Sequence, residues 1–351
     1  MSTPAPTDIL RLEAFFAAAE RVCIAVHTHP DGDALGSGAA LLAYLRACRG
    51  KQARLLLPDP VPPPLQFLLP DEGILTAGDP GARDWIAGCD LLVCLDMNTF
   101  ARAESLEEPL RACRAPKVLI DHHLHPDRAA FDLVFSKTDI SSASELLYHV
   151  LKALPGVGEA SRLPLQVLTP LMAGMTTDTN NFANSVWPST LQMASELLAA
   201  GVDRDALLEK IYHNYRENRF RAMGAYLHEK LVVTPDGVAY AVLDKDFLQR
   251  YALLEGETEG FVNIPLGMEA VRLSIFLREA EGHFRVSIRS KAGVSANLLA
   301  AEAFHGGGHE RAAGGKLYYP ADIASPEDAD AYVGQVAARF MRNGISRLRP
   351  K

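Results

Sequence analysis

The chain has 351 residues, of which 48% are hydrophobic and 22% are charged, and its formal net charge is −8. This length favours two domains over one, and no apolar run reaches the ~18 residues that a membrane span requires. The acidic charge argues against a protein that coats long nucleic acids through a broad basic surface, but it is compatible with a small anionic substrate.

Apolar strand runs alternate with helical runs in the N-terminal half, which predicts an α/β fold with a mostly parallel sheet covered on both faces by helices. The predicted strands comprise residues 22–26, 53–57, 91–95 and 118–120. The predicted helices comprise residues 8–20, 34–48, 141–154 and 163–177, with two more between 189 and 230.

From Leu231 onwards the pattern changes and indicates a second, smaller α/β domain with a mixed sheet. Its elements are predicted at residues 238–242, 271–276 and 284–289 (strands) and at 294–304 and 327–343 (helices). We therefore expect an N-terminal domain in residues 1–200, a helical connector in 201–232 and a C-terminal domain in 233–351.

The cysteines and the N-terminus indicate the compartment. The five cysteines are odd in number and include no C-x-x-C pair, which argues against a disulfide framework or a structural zinc site. The first residues have neither a basic start nor an apolar core, so we expect no signal peptide. These features predict a protein of the reducing cytoplasm.

The stretch between the first predicted strand and the following helix carries His27, Asp31 and Asp33. Open α/β sheets bind their ligands beyond the carboxyl ends of the strands, which is where this stretch lies. One imidazole and two carboxylates suit a divalent cation such as Mn²⁺, and would also accept Mg²⁺ or Zn²⁺. The same residues would also form an Asx-rich turn that caps a helix, so this stretch alone leaves both interpretations open.

Other strand ends carry side chains of the same kind. Asp96 follows the strand 91–95, and Asp121, His122 and His123 follow the strand 118–120. Asp178 lies in a turn rich in Thr and Asn. A single Asp at a strand end is most often a cap. Several such residues at adjacent strand ends of one sheet would instead converge on one cleft.

In order, these motifs resemble the four motifs of the DHH phosphoesterase superfamily. The segments 289–290, 294–297, 306–309 and 312–314 resemble the DHH-associated C-terminal domain in the same way, so that the resemblance spans residues 20–320. Within the superfamily the chain is most similar to the NrnA-type group of nanoRNases and 3′-phosphoadenosine-5′-phosphate phosphatases. One departure is the motif at Asp178, Thr-Asp-Thr-Asn-Asn-Phe, which lacks an expected Gly after the Thr but keeps the carboxylate.

The resemblance implies a catalytic N-terminal domain with two cations, usually Mn²⁺, although Mg²⁺ or other divalent cations would fit. One cation would be held by His27, Asp31 and Asp96. The other would be held by Asp33, Asp96, His122 and Asp178. Asp96 would then bridge the two cations, and a two-metal hydrolase of this kind requires no Ser or Cys nucleophile.

Three further residues would act beside the cations. The resemblance implies that Asp121 orients a ligating imidazole or a water by a hydrogen bond, and that His123 points at the substrate phosphate. Arg102 lies six residues after Asp96. It would either reach the scissile phosphate or lie in solvent at a helix start.

The C-terminal domain would bind the substrate. Gly306, Gly307 and Gly308 would let the backbone approach an anion closely and turn N–H groups towards it. A Gly-Gly-Gly run alone would indicate only a tight turn. With Arg289, Ser290 and His309 beside it, and with the family motif matched, the run predicts binding of a phosphate or nucleotide.

The resemblance implies a cytoplasmic enzyme that removes mononucleotides from RNA or DNA oligomers of two to about five nucleotides, and the 3′-phosphate from 3′-phosphoadenosine-5′-phosphate. A phosphodiesterase of linear or cyclic dinucleotide signals is an alternative that only kinetics would separate. A nucleotide sensor without activity is a second alternative, but it would be expected to lose metal ligands, and none is missing. The sequence leaves a homodimer open, and the candidates for a base-stacking residue are Phe182, Trp187 and Tyr215.

Overall fold

The computed structural model describes residues 4–347, and the chain divides into two compact units, Met1–Asn214 and Tyr215–Lys351. This division falls inside the predicted connector, between a helix that ends at Tyr212 and one that begins at Glu217. The domain limits at residues 200 and 233 stay predictions. No helix within the described range is long and apolar enough to cross a membrane.

A six-stranded sheet, parallel throughout, forms the centre of the N-terminal unit and confirms the predicted α/β fold. Its strands are β1 (Arg21–Ala25), β2 (Gln52–Leu57), β3 (Ile74–Thr76), β4 (Leu91–Leu95), β5 (Lys117–Asp121) and β6 (Leu133–Ser136). Their order across the sheet is β3-β2-β1-β4-β5-β6. The winding direction therefore reverses between β1 and β4.

Helices cover both faces of this sheet. They are α1 (Pro6–Ala18), α2 (Gly32–Ala43), α3 (Ala82–Ala87), α4 (Glu107–Ala112), α5 (Ala143–Ala153), α6 (Leu165–Asp178), α7 (Pro188–Ala199) and α8 (Arg204–Tyr212). Successive residues of a strand point to opposite faces of the sheet and therefore lie in two separate hydrophobic cores. Val22 and Ile24 of β1 pack with residues of α2, α5 and α6, whereas Cys23 and Ala25 pack with residues of α3 and α4.

Several predicted boundaries differ from the observed ones. Strands β3 and β6 were not predicted, because three or four residues are too few to show a periodic pattern. Asp121 is the last residue of β5 and Asp178 the last residue of α6, although both were expected just beyond these elements. Residues 189–230 contain three helices instead of two, since α9 (Glu217–Ala225) follows α7 and α8.

The C-terminal unit contains the predicted mixed sheet. Its strands are β7 (Val232–Val233), β8 (Val238–Leu243), β9 (Leu273–Glu279), β10 (His283–Ser290), β11 (Gly307–Gly308) and β12 (Ala312–Tyr318), in the order β11-β12-β10-β9-β8-β7. Only β8 and β9 pair in parallel. Besides α9, its helices are α10 (Lys245–Arg250), α11 (Ala296–Ala303) and α12 (Ala329–Arg347). β12 was not predicted, because Gly314 and Gly315 interrupt its apolar pattern.

Helices α2 and α6 pack closely enough to require glycine at their contact. A Cβ atom on Gly36 would lie 2.5 Å from the carbonyl oxygen of Pro170 and 2.9 Å from the backbone nitrogen of Gly174. Both neighbours are backbone atoms, so neither can move without moving a helix.

We predict that Gly36→Ala lowers the free energy of unfolding by about 1–3 kcal/mol, because the added methyl group forces α2 and α6 apart. The matched control is Gly224→Ala in α9, where a Cβ atom would meet nothing within 4 Å. There, the better helix propensity of Ala should raise stability by about 0.5–1 kcal/mol. Urea denaturation measures both changes, and a Gly36→Ala variant as stable as the parent would contradict the close packing.

Candidate active site

The predicted metal-ligating residues gather where the winding of the N-terminal sheet reverses. His27 and Asp31 follow β1, and Asp96 follows its neighbour β4. In a sheet of this order, the connections from these two strands leave in opposite directions and open a crevice at their carboxyl ends.

The first group consists of His27, Asp31 and Asp96, whose ligand atoms lie within 4.8 Å of one another. Nε2 of His27 is 3.3 Å from Oδ2 of Asp96 and 3.8 Å from Oδ1 of Asp31. Nδ1 of His27 lies 2.7 Å from the carbonyl oxygen of Thr28. A proton on Nδ1 is therefore donated to the backbone, which leaves Nε2 to face a cation.

Asp31 is also the helix cap that the sequence left as an alternative. Its Oδ1 accepts hydrogen bonds from the N–H groups of Asp33 and Ala34, at 3.0 and 3.1 Å. The two interpretations are compatible, because the cap fixes the direction of a carboxylate that also lies beside His27.

The second group consists of Asp33, His122 and Asp178. Nε2 of His122 is 3.8 Å from Oδ2 of Asp33 and 3.4 Å from Oδ2 of Asp178. The same Nε2 is 3.4 Å from Oδ1 of Asp96, whose other oxygen faces His27. The Asp96 carboxylate thus lies between the two groups, as a bridging ligand would.

The N-terminus of α5 holds the carboxylate of Asp33. Its Oδ2 accepts from the N–H of Ala143 at 2.6 Å, and its Oδ1 from the N–H of Ser144 at 2.9 Å. Gly174 of α6 makes room for this arrangement, because a Cβ atom there would lie 2.0 Å from Oγ of Ser144 and 2.8 Å from Oδ1 of Asp33. A helix N-terminus favours the anion that it contacts.

The pKa values of the two buried carboxylates, Asp33 and Asp96, are shifted in opposite directions. Burial raises the pKa of Asp33 well above its ordinary value, and the neighbouring Asp96 and Asp178 raise it further. Burial would also raise the pKa of Asp96, but the imidazoles of His122 and His27 outweigh burial and hold that pKa well below its ordinary value. The clustered carboxylates therefore need positive charge nearby to stay ionised.

Without cations the imidazoles supply that charge. Burial lowers the pKa of His27, but Asp31 and Asp96 outweigh it and raise that pKa to about 10. Asp178 and Asp96 likewise outweigh burial at His122 and raise its pKa to about 10. Within the part of the chain that the structure describes, moreover, no group donates a hydrogen bond to Oδ1 of the buried Asp96. The donor set thus fits divalent cations, which would replace two protons and satisfy this oxygen.

Asp96 also has a strained backbone. Its φ of 56° lies in the left-handed region, which a non-glycine residue seldom adopts. Two hydrogen bonds hold it there: its N–H donates to the carbonyl of Ile120 at 3.1 Å, and its carbonyl accepts from Nη1 of Arg102 at 3.1 Å. This conformation directs the side chain of the residue shared by both groups.

Asp121 was predicted to orient a ligating imidazole or a water, and the imidazole that it contacts is that of His123. Its Oδ1 is 2.8 Å from Nδ1 of His123, and its Oδ2 accepts the N–H of His123 at 3.1 Å. Nη1 of Arg102 lies 2.9 Å from Nε2 of His123. Burial and the guanidinium of Arg102 lower the pKa of His123. Arg102 is half-buried among these residues, so it does not lie in solvent.

The predicted substrate-binding residues lie at the end of β10 and in or directly beside β11. Nη1 of Arg289 donates to the carbonyl of Ile288 at 3.0 Å. The hydroxyl of Ser290 is buried and donates to the carbonyl of Val294 at 2.6 Å, so it holds the following turn. The N–H of His309 donates to the carbonyl of Ala312 at 2.7 Å.

Two of the three glycines in the Gly-Gly-Gly run are required by packing. A Cβ atom on Gly306 would lie 1.9 Å from the carbonyl oxygen of Gly314, and Gly308 has a φ of 145°. The N–H of Gly306 donates to the carbonyl of Ala300 at 3.1 Å, so it does not turn towards an anion as predicted. Gly307 is exposed and is the member of the run open to a ligand.

Asp59 is a member of this region that the sequence analysis missed. It follows β2, so the same strand-end signal could have found it. Its Oδ2 contacts the hydroxyl of Thr28, accepts the N–H of His29 at 2.7 Å and lies 3.3 Å from Nδ1 of His29. Asp59 thereby fixes the backbone that links His27 to Asp31.

We predict that the affinity for divalent cations rises with pH, because His27 and His122 must each lose a proton before binding. Their pKa values are raised from 6.5 to about 10, so the apparent affinity for Mn²⁺ should increase continuously between pH 6.5 and about pH 9. Calorimetric titration in buffers of different ionisation enthalpy measures affinity and proton release together. An affinity that is constant above about pH 7 would exclude protonated imidazoles at this site.

Each of the two units matches a known protein domain family. The DHH family, N-terminal domain, matches residues 21–175, and the DHHA1 domain matches residues 237–338. The chain is similar to the bifunctional oligoribonuclease and PAP phosphatase NrnA of Thermus thermophilus, with 33% identity over 305 residues, 84% of this chain and 84% of that protein.

Solved structures share the architecture. An exopolyphosphatase-related protein from Bacteroides fragilis aligns with a TM-score of 0.88 and 31% identity, over 98% of this chain and 99% of that one. RecJ from Thermus thermophilus in complex with Mn²⁺ aligns with a TM-score of 0.56 and 14% identity, over 97% of this chain and 56% of that one, and shares the fold alone. The chain therefore belongs to the DHH family of phosphoesterases and is a hydrolase that acts on phosphoester bonds.

Proposed function

We propose that this phosphoesterase removes mononucleotides from very short RNA or DNA oligomers and the 3′-phosphate from 3′-phosphoadenosine-5′-phosphate. The main support is structural: one buried carboxylate, that of Asp96, lies between two groups of potential ligand atoms. The activities named for the NrnA relative, which matches along most of both chains, support the choice of substrates.

In this proposal the enzyme uses two divalent cations, Mn²⁺ for preference. His27 and Asp31 would hold one, Asp33, His122 and Asp178 the other, and Asp96 both. When bound, the cations would supply a nucleophile near neutral pH and stabilise negative charge on the phosphoryl oxygens. Carboxylates with one imidazole for each cation are a donor set that suits Mn²⁺.

His123 and Arg102 would contact the phosphate. Asp121 accepts the proton on Nδ1 of His123 and so fixes the orientation of the ring. Nη1 of Arg102 lies close to Nε2 of the same ring, so guanidinium and imidazole present adjacent polar groups. A guanidinium offers paired donors in a geometry that matches phosphate.

The C-terminal unit would bind the phosphate or nucleotide that is not cleaved. Arg289 and His309 would supply charged donors, and the exposed Gly307 would let the substrate approach the backbone. A homodimer and a cytoplasmic location remain predictions within this proposal.

We predict that oligomers of two to about five nucleotides are cleaved faster than a twenty-four-mer at equal strand concentration. A chain with a net charge of −8 lacks the electrostatic track that long single strands need, so extra phosphates meet an acidic protein. The preference should shrink as salt rises, since screening weakens repulsion. Product analysis with 5′-labelled oligomers and Mn²⁺ measures the cleavage rate at each length and salt concentration. The Asp33→Asn variant serves as the blank for contaminating nucleases.

Equal or faster degradation of the long oligomer would contradict the proposal and favour a processive exonuclease. Turnover restricted to linear or cyclic dinucleotides, with trimers and longer oligomers left intact, would favour the dinucleotide phosphodiesterase instead.

A further inference from the structure

The carboxylate of Glu145, in the first turn of α5, is a buried charge outside the proposed ligand set. Its side chain is fully buried. Burial would raise its pKa, but interactions with His149, Ser141, Ser189 and Thr190 outweigh burial and lower that pKa to about 2. An ionised carboxylate is costly to bury, so these partners must hold it in one position.

Glu145 joins three segments of the chain. Its Oε2 accepts from the N–H of Ser141 at 3.1 Å, from the hydroxyl of Ser141, and from the hydroxyl of Thr190 at 2.7 Å. The Oγ1 of Thr190 in turn accepts the N–H of Trp187 at 3.1 Å, at the start of α7. One carboxylate therefore holds together Ser141 just before α5, the first turn of α5 and the first turn of α7.

The start of α5 is also what holds Asp33. The two N–H groups that bind its carboxylate belong to Ala143 and Ser144, immediately before Glu145. Ser142 caps the same turn, and its hydroxyl oxygen accepts the N–H of Glu145 at 3.0 Å. A shift of this turn would move both donors together, and ligand geometry tolerates displacements of only about 0.5 Å.

We infer that Glu145 is a positioning residue, which fixes the α5 N-terminus against α7 and thereby holds Asp33 in the geometry that binds a cation with His122 and Asp178. This inference rests on the proposed two-cation function. It assigns Glu145 no contact with substrate or cation.

The other end of the α5–α7 contact provides a matched control. There Glu196 of α7 accepts from the hydroxyl of Tyr148 and from Nζ of Lys152, both on α5. The helices are the same and a glutamate again accepts from a hydroxyl, but this carboxylate also pairs with an ammonium group and lies away from the turn that contacts Asp33. A residue that only ties α5 to α7 would behave like Glu196.

The test compares Glu145→Ala, Glu145→Gln and Glu196→Ala by calorimetric titration with Mn²⁺, with folding checked by circular dichroism. Glu145→Ala should weaken one of the two Mn²⁺ sites by about 10–100-fold and leave the other unchanged. Glu145→Gln should recover most of the affinity, since its amide oxygen can accept from the hydroxyls of Ser141 and Thr190. Glu196→Ala should lower the melting temperature but keep both affinities.

Parental affinity at both sites in Glu145→Ala, or equal weakening in Glu196→Ala, would overturn the inference. If Glu145→Ala does not fold, Thr190→Val removes one donor to Glu145 at constant volume and should weaken the same site by a smaller factor. A Thr190→Val variant with parental affinity would then overturn it. Failure of the parent chain to bind two Mn²⁺ would instead contradict the proposed function.

Discussion

Mutual repulsion among four clustered carboxylates, two of them fully buried, dominates the electrostatics of this active site. Asp31, Asp33, Asp96 and Asp178 converge at one edge of a sheet, where two charges 4 Å apart repel by about 4 kcal/mol even at an effective dielectric constant of about 20. Burial and the neighbouring carboxylates Asp96 and Asp178 raise the pKa of Asp33, and attraction to the clustered carboxylates outweighs burial and raises the pKa values of His27 and His122. Divalent cations would relieve it more completely than protons, since each brings two charges to the same donors.

The fold assembles these charges by using strand ends and helix starts together. The reversal between β1 and β4 places two strand ends side by side, and the N-termini of α2 and α5 direct N–H groups at Asp31 and Asp33. Close packing of α2 with α6, which needs glycine at Gly36 and Gly174, leaves room for the buried carboxylate. Stability and ligand geometry therefore depend on the same contacts.

Much of this arrangement was predictable from the sequence, because strand ends and helix caps have local patterns and the family motifs occur in order. The interactions that hold the ligands were not. The bond from Ala143 to Asp33 joins residues 110 positions apart, and the bond from Thr190 to Glu145 spans 45, so neither leaves a local signal. The Gly-Gly-Gly run was interpreted through its match to an anion-binding motif, whereas packing against β12 determines two of its three positions.

Metal content and turnover of an Asp96→Asn variant test the central claim, that one carboxylate serves two cations, most directly. Asparagine keeps the volume of the side chain but replaces a charged, two-oxygen ligand by one neutral oxygen. In Asp96→Asn, bound Mn²⁺ should fall from two ions to at most one for each chain and turnover should be abolished, whereas the control Asp121→Asn should retain both ions. Two bound Mn²⁺ ions and near-parental turnover in Asp96→Asn would show that Asp96 does not serve both cations.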